Sequence, residues 1–194
     1  MVQMAAAMSR LGTESAFEVL ARANALAAQG KDIINLGIGQ PDFKTPPHIV
    51  EAAIKALKDG HHGYTPANGI PELREAVARD IARHRKVTVD PADVIIVPGG
   101  KVTMFFAVLA LGEPGAEIIY PNPGFPIYES VIKFTGATPV PMALHEDKGF
   151  AFSAEEVLAL ITPRTRLIIL NSPANPTGGA VPREEMDKLA AGLA

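Results

Sequence analysis

Cysteine is absent from the 194-residue chain. That excludes a disulfide framework, a cysteine nucleophile and a thiolate metal site. Neither sign of charge is in marked excess: 18 Lys and Arg against 21 Asp and Glu leave a net charge of -3. No basic stretch suits nucleic-acid phosphates, and no acidic block suggests a solvated tail. Long hydrophobic runs are missing too. The longest, Val102 to Leu111, falls well short of the roughly 20 residues that span a bilayer. The Met1 to Ala7 start is small and apolar, but Arg10, Glu14 and Glu18 follow too soon for a secretory signal. These absences point to a cytoplasmic chain with no membrane or nucleic-acid partner. The length suits one domain, or one domain and part of another.

Helix-like and strand-like segments alternate along the chain. Ser15 to Gln29 is rich in Ala and Leu and reads as a helix stopped by Gly30. Thr45 is the expected N-cap of the next helix, with Pro46 in its first turn and Val50, Ala53, Ile54 and Leu57 on one face. Pro71 opens a third, whose Leu73, Val77 and Ile81 make an expected buried stripe. Val94 to Val97, Ile118 to Tyr120 and Leu167 to Leu170 are short apolar runs bounded by breakers. Thr138 to Met142 is a weaker run carrying two prolines. A last amphipathic segment starts at Pro182, with Met186, Leu189 and Leu193 inward. Apolar runs without alternation suggest strands covered on both faces. The predicted fold class is therefore α/β, a mixed, mainly parallel sheet flanked by helices.

In open α/β sheets, ligands gather outside the carboxyl ends of the strands. Three loops in such places carry candidate chemistry. Pro98-Gly99-Gly100-Lys101 joins an apolar run to a helix start. Backbone N–H groups and the helix dipole there suit a phosphate, although a tight turn needing positive φ has the same residues. It is not a P-loop, since Ile95 and Val102 stand where glycine and Ser or Thr are needed. A dinucleotide fingerprint from Gly37 and Gly39 fails at Asp42. In the second loop, Tyr120 to Tyr128, the ring of Phe125 either stacks on a flat ligand or packs within the loop. The third, Asn171-Ser172-Pro173-Ala174-Asn175-Pro176-Thr177-Gly178-Gly179, is the most specific. Its prolines pre-shape the backbone, and a rigid amide aimed from a strand end suits a ring substituent.

Taken together, these strings resemble the class I/II aminotransferases of pyridoxal 5'-phosphate (PLP) fold type I. The resemblance is carried by Asn-Ser-Pro-Ala-Asn-Pro-Thr-Gly at 171–178, Leu-Gly-Ile-Gly-Gln-Pro-Asp-Phe at 36–43, Tyr-Thr-Pro-Ala-Asn-Gly at 64–69 and Gly-Gly-Lys at 99–101. It extends over nearly all the chain from Ile33 onward. It implies PLP as cofactor, an amino acid and a 2-oxo acid as substrates, and a homodimer. Gly100, Lys101 and Val102 would surround the cofactor phosphate. Phe125 would stack on the pyridine ring, and Asn175 would bond the ring hydroxyl oxygen. Gly39 would lie beside the substrate carboxylate, and Tyr64 would reach the phosphate of the neighbouring subunit. The Asn122–Pro123 and Asn175–Pro176 peptides would be cis. Residues 1–44 would form an arm and small-domain segment, and 45–194 part of the large PLP-binding domain.

The family also needs an aspartate on the pyridine nitrogen, a Schiff-base lysine and an arginine for the substrate carboxylate. In the family these follow the Asn-Pro-Thr-Gly segment. The resemblance therefore puts them beyond Ala194, and this chain is expected to be an N-terminal portion without catalysis of its own. Lys101, beside the phosphate turn, is not the expected Schiff-base lysine, and Arg164 and Arg166 read as solvated. A PLP-dependent β-lyase, or a non-catalytic PLP-binding regulatory domain, is the alternative function.

Overall fold

Strand β1, Glu117–Asn122, is buried from its first residue to Pro121. A run of this kind must be covered on both faces, because successive side chains point to opposite sides. Ile118 and Tyr120 point into one apolar cluster, and Ile119 into another. The computed structural model describes residues 2–12, 15–37 and 39–194, with the backbone alone described at 15–17. Glu14, and Ile38 within the 36–43 string, lie outside the described residues. The chain divides into two units, Met1–Glu18 with Lys101–Ala194, and Val19–Gly100.

The first unit contains a parallel three-stranded sheet in the order β2-β1-β3, with β2 at Thr138–Ala143 and β3 at Thr165–Ile168. It is an α/β arrangement, with helices on both faces. On one face lie α4, Gly100–Leu111, and α5, Ile127–Thr135. Their Val108, Val131 and Ile132 close around Ile118 and Tyr120. On the other lie α6, Ala154–Ala159, and α7, Arg183–Leu193, whose Val157 and Leu189 meet Ile119 and Phe152. Burying each such aliphatic side chain contributes roughly 1.5–3 kcal/mol. Leu193 was expected to face inward but is exposed at the helix end, while Met186 packs on the cluster as expected.

Backbone bonds fix which way each residue of the sheet faces. Thr138 and Leu144 donate their N–H groups to Ala116 and Asn122, so even-numbered β2 residues pair with β1. Pro139 and Pro141 then face the outer border, where neither has an N–H to offer. The two prolines that weakened the strand pattern in the sequence therefore suit an edge position. Pro121 acts similarly on the other side of β1. Ile169 donates to the Ile119 carbonyl, and Pro121, the next residue facing β3, cannot donate in turn. The β1–β3 ladder stops there, and the chain after Ile169 leaves the sheet.

At the opposite end of the sheet, the buried Glu117 carboxylate accepts from Thr162 Oγ1 at 2.5 Å and from Arg164 Nε at 2.9 Å. Arg164, read from sequence as solvated, is indeed exposed, and it also bonds this carboxylate 47 residues away. The Thr162 hydroxyl, and then the Arg164 guanidinium, hold the Glu117 carboxyl below its ordinary value of 4.5. Glu185 on α7 accepts the N–H of Ala154 at 2.7 Å, which caps α6 from a neighbouring helix. That bond, followed by Lys188, lowers the Glu185 carboxyl too.

The second unit holds α1, Ser15–Ala28 apart from its first turns, with α2, Pro47–Lys58, and α3, Pro71–Arg85. Gly30, at φ +81°, ends α1 as the sequence implied. Pro46 rather than Thr45 occupies the N-cap of α2, with no side-chain cap bond. Two consecutive prolines favour this boundary, since the residue before a proline avoids the α region. The α3 stripe is covered less than expected: Ala78 is its buried residue, and Leu73 is 43% exposed. Among the described residues of this unit, α3 packs mainly on the short turn at Pro91–Asp93, which is too small to cover two helical turns. Val94 to Val97 is extended but joins no sheet among the described residues. Its Ile96 N–H bonds the Asn68 carbonyl at 3.1 Å.

Ile119→Ala should cost about 2–5 kcal/mol, seen as a lower urea midpoint, because it opens a cavity on a fully buried strand. The lowered Glu117 and Glu185 carboxyls stabilise the fold fully above about pH 4.5, and that contribution is lost as pH falls through their folded values. Thermal unfolding between pH 6 and 3 should therefore fall more steeply for the protein than for an Arg164→Ala variant.

Candidate functional site

Strands β1 and β3 are parallel neighbours, so the loops after them leave the same end of the sheet. After Asn122 comes a cis peptide to Pro123, then Gly124. A Cβ at Gly124 would stand 2.1 Å from the Pro121 carbonyl oxygen, so only glycine fits this turn. The turn delivers Phe125, half-buried, to the start of α5, where its carbonyl accepts from the Tyr128 N–H. The Phe125 and Tyr128 rings meet edge to face at 6.0 Å and 87°. Burial raises the phenol pKa of both Tyr120 and Tyr128 above its ordinary value.

The first turn of α4 lies against this loop. Lys101 Nζ stands 5.4 Å from the centre of the Phe125 ring, a cation above an aromatic face. Farther along the helix, Met104 and Phe105 pack on the same cluster as Phe125. Preceding the helix, Gly99 has φ +90°, a left-handed turn that other residues adopt only with strain. A Cβ built on Gly100 would meet nothing within 4 Å. The first N–H groups of a helix have no intrahelical acceptor, and here they come with an ammonium group and a flat ring. That donor set fits a planar molecule bearing an anion.

The third loop starts where Pro121 ends the β1–β3 ladder. Cis peptides precede both Pro173 and Pro176. Both bonds proposed as cis from the resemblance, 122–123 and 175–176, are cis, and Ser172–Pro173 is a third. Hydrogen bonds close the loop on itself. Asn175 N–H donates to Asn171 Oδ1 at 2.8 Å, Ala174 N–H to the Gly179 carbonyl at 2.8 Å, Gly178 N–H to the Ala174 carbonyl at 2.7 Å, and Val181 N–H to Ser172 Oγ at 2.9 Å. Ala174 is buried in the core between the sheet and α6, whereas Asn175 is exposed. The amide is thus free of the core on a backbone that is fixed.

Lys101 and Phe125 are brought together directly, Val102 follows in the same helical turn, and Asn175 sits on the neighbouring strand's loop. Gly39 and Tyr64 belong to the Val19–Gly100 unit, where Tyr64 is fully exposed. An N-terminal segment that sequence reasoning passed over also borders this region. Arg10 donates to the Lys133 and Phe134 carbonyls at 2.9 Å each, capping the last turn of α5, and Gly12 N–H donates to Ser130 Oγ at 2.9 Å. Leu11 and Gly12, with Lys101, Phe105, Ile127 and Ser130, line a cavity of about 290 Å³. No sequence pattern foretells these bonds, because residues 10 and 12 meet a helix more than a hundred positions away.

A model of the family described as aminotransferase class I and II matches residues 31–193. A probable aspartate/prephenate aminotransferase from Aquifex aeolicus is 40% identical over 96% of this chain and 48% of that protein. An aspartate aminotransferase from Geobacillus stearothermophilus is 37% identical over 97% of the chain and 48% of that protein. The solved structure of aspartate aminotransferase from Thermus thermophilus with maleate superposes with a TM-score of 0.94 at 37% identity, covering all of this chain and 50% of that one. The chain spans about half the length of the curated relatives it matches.

Asn171→Ala removes the acceptor that holds the Asn175 N–H. A net hydrogen bond is worth about 0.5–1.5 kcal/mol, so hydrogen exchange at Asn175 should quicken about two- to tenfold while the sheet amides are unchanged.

Proposed function

The chain belongs to the aminotransferase class I and II family, and from that premise we propose that the protein containing it moves an amino group between an amino acid and a 2-oxo acid, with PLP as cofactor. One observation carries the reading: the Lys101 ammonium at the start of α4 stands over the Phe125 ring. A helix start beside an aromatic ring supports this reading, because a flat phosphorylated ring calls for both anion-binding N–H groups and a stacking surface.

Bound PLP supplies a sink for the electrons released at the amino acid's α-carbon. This chain's residues hold and orient it. The N–H groups of Gly100, Lys101 and Val102 bind the phosphate, with the Lys101 ammonium adding positive charge. Phe125 would lie against the ring. Asn175 would donate its amide to the ring hydroxyl oxygen, from a loop that internal hydrogen bonds keep in place. Gly39 leaves room for the substrate carboxylate. Tyr64, fully exposed, reaches the phosphate site of a second copy in a homodimer. Residues 1–44 serve as an arm and small-domain segment, and 45–194 as part of the large domain. We assign the Schiff base to no lysine of this chain. Lys101 is engaged with the ring of Phe125 at the phosphate end. No helix among the described residues is long and apolar enough to cross a membrane.

The names of the relatives make aspartate the first donor to test. The full-length protein should consume aspartate only when a 2-oxo acid is present; release of pyruvate and ammonia, without a 2-oxo acid, from an amino acid carrying a thiolate leaving group on its β-carbon would refute transamination in favour of a β-lyase. Phe125→Ala and Asn175→Ala should each weaken PLP binding about tenfold, the loss of one ring contact or one hydrogen bond of roughly 1.4 kcal/mol. Borohydride reduction of the 194-residue chain with PLP should leave no stoichiometric adduct on Lys101, as peptide mass mapping would reveal.

A further inference from the structure

The exposed Asn175 amide is held by a loop, and that loop in turn leans on a turn far from it in sequence. Residues Glu146–Lys148 form a 3-10 turn after β2, followed by Gly149 at φ +64° and Phe150 at φ +58°. A phenylalanine in the left-handed region is strained and persists only where its surroundings hold it. Several contacts do so here. The Phe150 N–H donates to the His145 carbonyl at 2.8 Å, and His145 bridges to Ala151. The Phe150 side chain packs on the core that also contains Ala174. On α6, Glu156 takes His145 Nε2 at 2.9 Å and Lys148 Nζ at 3.1 Å, tying both ends of the turn to one carboxylate.

Gly179 rests on this turn. A Cβ there would stand 2.4 Å from the Gly149 carbonyl oxygen, 2.7 Å from Phe150 Cβ and 2.9 Å from the Phe150 carbonyl oxygen. The backbones therefore touch with no room for a side chain. The Gly179 carbonyl accepts the Ala174 N–H, and Ala174 directly precedes Asn175.

We propose that the Gly149–Phe150 turn is a brace for the cofactor site: Phe150 and Gly179 are positioning residues that set where the Asn175 carboxamide points. Neither touches the cofactor. The path runs from Glu156 through the turn to Gly179, and across one hydrogen bond to the residue before Asn175. The inference rests on the assignment of Asn175 to the ring hydroxyl oxygen of PLP.

The test compares Gly179→Ala with Asn175→Ala in the full-length protein, with Phe150→Asn as a second variant that tolerates positive φ but lacks the ring. Two readouts are used: amide hydrogen exchange at Ala174 and Gly178 without ligand, and the pH midpoint of the visible band of bound PLP. With the brace, Gly179→Ala speeds exchange at both amides about tenfold. It also moves the midpoint in the same direction as Asn175→Ala, and by less. Ile132→Val, in the core on the other face of the sheet, lowers thermal stability without moving the midpoint. If Gly179→Ala does not fold, Phe150→Asn carries the same expectations. Unchanged exchange in the folded variant overturns the brace. So does an unchanged midpoint where Asn175→Ala moves it. If Asn175→Ala itself leaves the midpoint and PLP affinity unchanged, the cofactor assignment of Asn175 fails, and with it the brace's stated purpose.

Discussion

The double-sided burial of β1 governs everything else in the sheet-bearing unit. Ile118 and Ile119 are neighbours in sequence, and neither has any exposed surface. Because they point in opposite directions, one strand anchors two helical layers. The layer with α4 and α5 presents Lys101 and Phe125, and the layer with α6 and α7 seats Ala174 below Asn175. Both halves of the candidate site are referenced to the same six residues.

That arrangement explains why proline and glycine are concentrated where chemistry is expected. The sheet supplies a rigid frame, but ladder hydrogen bonds would hold its end closed. Pro121 withholds a donor and ends the pairing with β3, and Gly124 permits a turn so tight that its neighbours leave no space for a methyl group. Short loops on a rigid support give better-defined geometry than long ones. The Asn175 loop adds its internal hydrogen bonds and a buried alanine to the same effect.

Much of this was legible in the sequence, for physical reasons. Apolar runs that break abruptly into Gly, Pro and Asn mark strand ends, and three of the four runs proposed as strands, those at 118, 138 and 167, lie in the sheet. Joint occurrence of four strings identified the family before any contact was known. The rest depends on partners remote in sequence. Val94 to Val97 has the composition of a strand, but strand pairing requires a neighbour, and composition does not reveal one. The Leu73–Val77–Ile81 stripe has the period of a buried face, but period does not say what covers it. Arg164 is the solvated charge its sequence context suggests, but nothing local foretells its bond to Glu117. The contact of Gly179 with Phe150 is hidden for the same reason: nothing local in either string refers to the other.

The two borders of the sheet are chemically unequal. Along β2, prolines at 139 and 141 take away the donors that an incoming strand would seek, while β3 keeps its outward amides. Growth of the sheet is therefore directional: a further strand, from this polypeptide or another, has one margin on which to dock. The shielded margin also lowers the hazard of copies zipping together along that side while folding is incomplete.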